Sequence, residues 1–170
     1  KIYLKNFDNN LALAKLSLEI SSSINNNDLS ISLCHGDYVN KNILINNDDV
    51  WIIDFDKCKE DYCSHDLAYF LRRLLKRSTT NWNPALTVDI INTYLKVNTL
   101  TDSDLKYILA YLAFPQKFWK ISRDYYKNIN KCNKNSFIAL FTKGLDRSAD
   151  QLDYINNMID IYKRYYDIKF

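Results

Sequence analysis

Residues 34–56 constrain the fold of this chain more than any other part of its sequence. They begin with a polar loop that carries His35, Asp37 and Asn42 in the pattern H-x-D-x-x-x-x-N. Two short runs rich in isoleucine and valine follow within 43–53, and the Asn and Asp residues between these runs predict a turn. The second run leads directly into an Asp-Phe-Asp triplet. The sequence therefore predicts a functional loop followed by one small β-hairpin.

The spacing of this polar loop is that of the catalytic loop in protein kinases. There the aspartate accepts the proton of the attacking hydroxyl, and the asparagine holds a magnesium ion. We therefore predict that Asp37 is the catalytic base. Asn42 and Asp54 are predicted to bind the metal and, through it, the nucleotide phosphates, because Mg²⁺ prefers oxygen ligands and keeps several of its waters.

Other residues of the loop are predicted to shape it. Gly36 is one of only two glycines in the chain and occupies a place where the backbone is expected to be strained. His35 is predicted to brace the loop by packing and hydrogen bonds rather than to perform chemistry.

Two further charged residues near the predicted site have alternative roles. For Lys41 the alternatives are a contact with a phosphate and a solvated surface lysine. For Asp56 they are an additional carboxylate near the metal and a charge that crowds the metal site.

The loop, the Asp-Phe-Asp triplet and the Asp-Leu-Ala segment at 66–68 together resemble the aminoglycoside and choline phosphotransferases. A closer resemblance is to the CotS family of bacterial spore coat proteins, and it extends over most of the chain. It is carried by HDLAYFLRR at 65–73, by FPQKFWK at 114–120 and by the tyrosines at 125–126. For the aromatic residues of the last two segments, the alternatives are core packing and lining of an acceptor pocket.

This resemblance implies that residues 1–170 form a single α+β domain, mainly helical, with one small β-hairpin. The domain would be the large, C-terminal lobe of the kinase-like fold, in which Asp66 caps its helix and ties it to the catalytic loop. The chain has no glycine-rich loop and no strand-borne lysine before its first helix, so the small nucleotide-binding lobe is expected upstream of Lys1. ATP and Mg²⁺ are the cofactors expected for the full-length protein, and neither is expected to bind tightly to this fragment.

Two functions are compatible with these motifs. The first is a spore coat-associated, kinase-like protein that transfers phosphate from ATP to a small hydroxylated molecule, the acceptor being unidentified. The alternative is a catalytically inactive kinase-fold module that binds other coat proteins during spore coat assembly. The fragment alone is not expected to be active under either hypothesis. A protein kinase is disfavoured, because the triplet is Asp-Phe-Asp and no Ala-Pro-Glu follows it.

Composition restricts the partners and the location of the protein. The net charge of +3 arises from 23 basic and 20 acidic residues, a balance that argues against nucleic acid or an anionic membrane as the partner. No apolar run approaches the roughly 20 residues that a membrane helix needs. The four cysteines form no Cys-x-x-Cys pair, so reduced thiols are favoured over a metal site built from Cys58, Cys63 and His65. We expect the protein in the cytoplasm, or in the spore coat of a sporulating bacterium.

Apolar periodicity and capping residues predict helices around the loop and hairpin. The first is predicted over 8–23, capped by Asp8 or Asn9, with an apolar face formed by Leu11, Leu13, Leu16, Leu18 and Ile20. An irregular connector is predicted over 57–64. A second helix is predicted over 66–77, and a third over 84–97, with Asn83 as its cap and Pro84 at its first position. Thr101 or Asp102 is predicted to begin the next helix, which ends at 113, and Pro115 to begin a segment that ends near 128. A long helical region is predicted over 135–166, interrupted near Gly144.

Overall fold

A computed structural model describes residues 4, 6–127, 135, 136, 138, 139 and 147–170. The helices are α1 (Phe7–Ser22), α2 (Cys63–Leu75), α3 (Pro84–Leu95), α4 (Asp102–Ala113), α5 (Gln116–Lys127) and α6 (Ser148–Tyr165). The strands are β1 (Ile31–Cys34), β2 (Ile43–Asn46), β3 (Asp49–Ile52) and β4 (Lys59–Tyr62). This confirms a mainly helical α+β fold. The predictions for 128–134 and for the break near Gly144 lie outside the described residues.

Helix α4 is the centre of the hydrophobic core. Both α1 and α2 pack along it, and α6 covers another side. Two thirds of its residues are buried, including Leu105, Ile108, Leu109 and Leu112. Burial of apolar surface in this core is the main force that holds the helices together, at roughly 25 cal/mol per Å².

Buried polar side chains connect the core to the elements around α4. The carboxylate of Asp104, which is completely buried, accepts hydrogen bonds from the main-chain N–H and the hydroxyl of Ser30, just before β1. The guanidinium of Arg72 on α2 donates to the carbonyls of Tyr111 and Phe114 at the end of α4. Since unpaired buried polar groups are costly, these bonds fix the strand and both helices in one arrangement.

The capping signals at α3 and α4 are confirmed. Asn83 accepts a hydrogen bond from the N–H of Ala85, and Pro84 occupies the first helical position of α3. Thr101 and Asp104 form a reciprocal capping box at the start of α4. These two helices therefore begin where local sequence chemistry places them.

The strands form two separate antiparallel pairs. Strands β2 and β3 form the predicted hairpin, with Ile43 opposite Ile52 and Asn46 opposite Asp49. Strand β1 pairs with β4, which lies inside the stretch 57–64 that was predicted to be irregular. That prediction is wrong because β4, with the sequence KEDY, has no apolar alternation and gains its conformation from pairing with β1.

Two other predictions about helices need correction. On α1, Leu13 and Ile20 are buried, but Leu18 is 72% exposed, so the buried face is narrower than the leucine pattern indicated. Polar Asn10 and Ser17 complete that face, and no side chain caps the helix. Helix α2 begins at Cys63 rather than Asp66, and no side chain caps it either, so the predicted capping role of Asp66 is wrong.

The aromatic residues near α5 divide between core and surface. Phe118 is buried and lies edge-on to Phe7, whereas Trp119 and Tyr126 are about half exposed. Within the apolar run 107–114, the aliphatic residues of α4 are buried, whereas Tyr107, Tyr111 and Phe114 are partly buried. Among the described residues, no helix has the length and apolar character needed to cross a membrane.

The capping box of α4 gives a test of the fold. We expect Thr101→Ala to lower the free energy of unfolding by about 1 to 2 kcal/mol, because it removes the acceptor for the Asp104 N–H and the bond from Thr101 to the carbonyl of Asp28. Thr99→Ala is the matched control, since the Thr99 side chain is exposed and makes no hydrogen bond to a described residue. Urea denaturation of both variants would measure the difference, and equal losses would contradict the assigned cap.

Candidate active site

The loop at 35–42 is anchored to α2 by one carboxylate. Asp66 lies in the first turn of α2, and its two oxygens accept the main-chain N–H groups of His35 (2.6 Å) and Gly36 (3.0 Å). Hydrogen bonds to an ionised acceptor are stronger than neutral ones. The predicted tie between Asp66 and the loop is therefore present, although this side chain does not cap its helix.

Gly36 allows the chain to turn sharply between His35 and Asp37, the first two residues of the H-x-D-x-x-x-x-N motif. Its φ is +75°, a left-handed conformation that side chains with a Cβ rarely adopt. A Cβ on Gly36 would also lie 2.4 Å from the carbonyl oxygen of Lys57. The loop and the segment that follows the Asp-Phe-Asp triplet thus approach each other more closely than any side chain permits.

His35 and Asn42 hold the loop from inside. The ring of His35 accepts the N–H of Asp37 at Nδ1 (3.2 Å), and its Nε2 lies 2.9 Å from the carbonyl of Ile53. A carbonyl only accepts and an N–H only donates, so these partners select the neutral ring with its proton on Nε2. The amide of Asn42 donates to the carbonyl of Asp37 (2.9 Å). The predicted bracing position of His35 agrees with these bonds.

Aromatic packing supports the same histidine from the other side. The ring of Phe55, the middle residue of the triplet, lies 4.8 Å from the His35 ring. Tyr38 lies edge-on to His35 at 6.2 Å and contacts Phe70 of α2. The triplet, the loop and the helix are therefore joined by contacts between neighbouring rings as well as by hydrogen bonds.

Asp37 lies in a strongly cationic environment. The residue is only 7% exposed, and its carboxylate is 3.2 Å from the Lys57 ammonium and 3.5 Å from that of Lys41. Tyr69 of α2 donates its hydroxyl to the other carboxylate oxygen at 3.3 Å. The hydrogen bond from Lys57, with the charge of Lys41, holds the pKa of Asp37 below its ordinary value, so the group is an anion at neutral pH.

The hairpin brings Asn42 and Asp54 next to each other. The N–H of Ile53 donates to the carbonyl of Asn42 at 3.0 Å, and Asp54 follows directly with a left-handed φ of 69°. Lys41 lies between the two carboxylates, with its ammonium 3.5 Å from Asp37 and 3.9 Å from Asp54. The three residues predicted from the sequence to form the site therefore lie within one small region.

The donors in this region fit a magnesium ion bound mainly through phosphates. Asn42 uses its amide nitrogen to hold the loop, and no described residue donates to its amide oxygen. Asp54 is exposed and supplies a carboxylate beside it. Mg²⁺ keeps several waters and often takes only one or two protein ligands. Among the described residues, no group of three or more His, Cys, Asp or Glu side chains is arranged to hold a metal, so a fully protein-ligated site is not found there.

Two neighbours of Asp37 were not identified from the sequence. Lys57 directly follows the triplet, and Tyr69 lies one helical turn after Asp66 on the face of α2 that meets the loop. The i, i+3 spacing from Asp66 could have indicated Tyr69. No local sequence pattern indicated Lys57, because its position next to Asp37 depends on the close approach of the Gly36 and Lys57 backbones. Asp56 is exposed and makes no hydrogen bond or ion pair with any described residue.

Comparisons with known proteins agree with this geometry. A family model described as "Spore coat putative kinase YutH" matches residues 17–158. The crystal structure of an aminoglycoside phosphotransferase from Alicyclobacillus acidocaldarius superposes with a TM-score of 0.78 at 21% sequence identity. This match covers 94% of the present chain and 49% of that chain, so the present chain spans about half the length of the phosphotransferase. The resemblance to a spore coat family and the kinase-like fold are both confirmed.

The close approach at Gly36 predicts a specific loss of stability. We expect Gly36→Ala to reduce the free energy of unfolding by about 2 to 4 kcal/mol, because a Cβ meets both the positive φ and the Lys57 carbonyl. Asn47→Gly is the matched control, since Asn47 also has a positive φ (51°) but lies in the exposed hairpin turn. The control should change stability by less than about 1 kcal/mol in denaturant unfolding. A Gly36→Ala protein as stable as the wild type would contradict the assigned backbone conformation.

The charge environment of Asp37 predicts a change in its titration. Lys57→Met should raise the pKa of Asp37 toward its ordinary value near 3.8, because it removes the largest stabilising partner of the carboxylate. Since the folded pKa is the lower one, ionised Asp37 adds stability above the ordinary value, and this stability is lost as the pH falls through the folded pKa. The variant should therefore gain less stability than the wild type between acid and neutral pH.

Lys59→Met provides the control for this titration. Lys59 contacts Asp61 and, with the ring of His65 and the N–H of Tyr62, holds the pKa of Asp61 at about 2. The substitution should raise the pKa of Asp61 and leave that of Asp37 unchanged. NMR titration of side-chain carboxyl carbons would resolve both groups. An unaltered Asp37 titration in Lys57→Met would show that this lysine does not stabilise the carboxylate.

Proposed function

The chain belongs to the YutH family of spore coat kinase-like proteins, and we propose that it forms the catalytic lobe of an ATP- and Mg²⁺-dependent phosphotransferase acting on a small hydroxylated molecule. The observation that carries this proposal is the grouping of Asp37, Asn42 and Asp54 around the loop and hairpin, with Lys41 between the two carboxylates. A structural role alone does not require the exposed carboxylate of Asp54 in the same small region as the ionised Asp37. The matched phosphotransferase fold is consistent with this chemistry.

In the proposed reaction, the carboxylate of Asp37 orients the acceptor hydroxyl and takes its proton. A bond forms between the acceptor oxygen and the γ-phosphorus of ATP, and the bond from that phosphorus to the bridging oxygen of ADP breaks. Asp37 then returns the proton to solvent. Its lowered pKa makes it a weak base that is ionised at neutral pH, which suits a loose transition state in which the proton is transferred late.

Asn42 and Asp54 are proposed to hold the magnesium ion, which would neutralise the negative charge of the nucleotide phosphates. Lys41, with its side chain 63% exposed, can turn from the two carboxylates to a phosphate oxygen. Since the 170 residues contain two glycines and no glycine-rich loop, a nucleotide-covering lobe would have to come from outside them. The full-length protein is therefore the appropriate object for activity measurements.

A second candidate is a binding module without catalysis in the spore coat. One observation favours it: Asp37 already has three partners, Lys57, Lys41 and Tyr69, which compete with a substrate hydroxyl. Under this proposal the kinase-like fold would provide a surface for other coat proteins. Location in the spore coat is common to both candidates and is supported by the family match.

Substitution of the base separates the two candidates. In the full-length protein, Asp37→Asn should reduce phosphate transfer by about a hundred- to ten-thousandfold, because the amide keeps the shape but accepts no proton. Asp54→Asn should instead weaken Mg²⁺-dependent nucleotide binding. Asp56→Asn is the matched control, since this neighbouring carboxylate has no partner among the described residues and its loss should leave turnover within about twofold of the wild type.

The measurement is ATP turnover against panels of sugars, amino alcohols and polyols, run alongside incorporation of the same variants into the coat of a sporulating host. Turnover that is lost in Asp37→Asn while incorporation continues supports the enzyme. A wild-type protein that enters the coat normally but turns over none of the acceptors would contradict the phosphotransferase and favour the binding module.

A further inference from the structure

Positively charged side chains lie near Asp37, the proposed catalytic base, and the first of them is Arg73 of α2. The Tyr69 hydroxyl donates to Asp37 (3.3 Å), and the guanidinium of Arg73 donates to the same hydroxyl oxygen (3.3 Å). Arg73 also lies over the Tyr69 ring, with its central carbon 5.3 Å from the ring centroid. One tyrosine hydroxyl therefore separates an exposed arginine of α2 from the carboxylate that would receive the acceptor hydroxyl.

Two lysines extend this charge away from the base. Lys76 lies about one helical turn beyond Arg73, and Lys117 is in the first turn of α5. The i, i+3 spacing places Arg73 and Lys76 on the same side of α2, and Lys117 follows three residues after Phe114, whose carbonyl accepts a hydrogen bond from Arg72. Burial, with the positive charges of Arg72, Lys117 and Arg73, lowers the pKa of Lys76 to about 7. We call Arg73, Lys76 and Lys117 the cationic patch. All three side chains are accessible to solvent, and the Lys76 amine is only partly protonated at neutral pH.

The arrangement of the helices keeps the patch together. Arg72, which is 4% exposed, donates to the carbonyls of Tyr111 and Phe114, and the chain enters α5 immediately after Phe114 and Pro115. These bonds hold the end of α4, and with it the short connection that leads into α5, against α2. No carboxylate among the described residues lies within ion-pair distance of Arg72 or of the cationic patch. Asp37 acts on Arg73 only across the Tyr69 hydroxyl, so the repulsion among the like charges is only partly offset by the described part of the chain.

We propose that the phosphoryl acceptor is itself an anion, a small hydroxylated molecule whose phosphate or carboxylate group binds the cationic patch while its hydroxyl reaches Asp37. This inference rests on the proposed phosphotransferase activity and adds the charge of the substrate. An anion there replaces repulsion among the cations with charge-assisted hydrogen bonds, whereas an amino sugar with several ammonium groups would be repelled. Since each turn of α2 rises about 5.4 Å, the spacing from Tyr69 to Arg73 and Lys76 fits an acceptor of about three to six carbons.

The first experiment measures binding to the full-length protein in two series that share a skeleton and differ in charge. The three-carbon series is glycerol, glycerol 3-phosphate, glycerate and 3-amino-1,2-propanediol. The six-carbon series is glucose, glucose 6-phosphate, gluconate and glucosamine. In at least one series, an anionic member should bind about tenfold or more tightly than the neutral one, and the amino member should bind weakest. The phosphate and carboxylate members distinguish the two anionic groups.

Substitutions then locate the binding. Arg73→Gln and Lys117→Gln should each weaken the anion by about five- to twentyfold and leave the neutral member within twofold, because each removes one charged donor. Lys96→Gln is the matched control, since it removes the same charge from an exposed lysine at the end of α3. Arg73→Glu should reverse the order, so that the amino member binds more tightly than the anion. Circular dichroism and thermal unfolding would verify that each variant is folded.

The outcomes separate this inference from the proposed function. Anions that bind no more tightly than neutral members in both series, or whose affinity is unchanged in Arg73→Gln and Lys117→Gln, would overturn the inference. Transfer of phosphate to neutral or amino acceptors alone, with Arg73→Gln unaffected, would overturn it and leave the phosphotransferase standing. Patch-dependent anion binding with no transfer from ATP would support an anion site and contradict the phosphotransferase.

Discussion

The two hydrogen bonds from the loop backbone to the carboxylate of Asp66 are the constraint on which the site depends. They attach the N–H groups of His35 and Gly36 to the first turn of α2. That helix is itself held to α4 by apolar packing and by the buried Arg72. Asp37 directly follows Gly36, so the Asp66 carboxylate fixes the position of Asp37 relative to the hydrophobic core.

Hydrogen bonds to the main chain hold the H-x-D-x-x-x-x-N motif in its conformation. His35 bonds the N–H of Asp37 and the carbonyl of Ile53, and Asn42 bonds the carbonyl of Asp37. Each of these side chains is buried, so losing a partner would leave a polar group unpaired. These bonds account for a histidine at the first position of the motif. The amide oxygen of Asn42 accepts no hydrogen bond from a described residue and is therefore available to another partner.

Local signals in the sequence predicted much of the fold. The hairpin, the Asn-Pro start of α3 and the start of α4 at Thr101 depend on residues close together in the chain, and all three are present. Strand β4 was missed because its conformation comes from pairing with distant β1. Lys57 was missed as a neighbour of Asp37 for the same reason. Its position depends on the backbone contact at Gly36, which no spacing or propensity encodes.

The most direct test of the central claim is a crystal structure of the full-length protein with Mg²⁺ and a non-hydrolysable ATP analogue. The arrangement of the loop and hairpin predicts a metal ion bound to the amide oxygen of Asn42 and the carboxylate of Asp54. It also predicts a γ-phosphate that faces Asp37 across a gap wide enough for an acceptor hydroxyl. A nucleotide bound away from these residues, or a metal held without Asn42 and Asp54, would contradict the account.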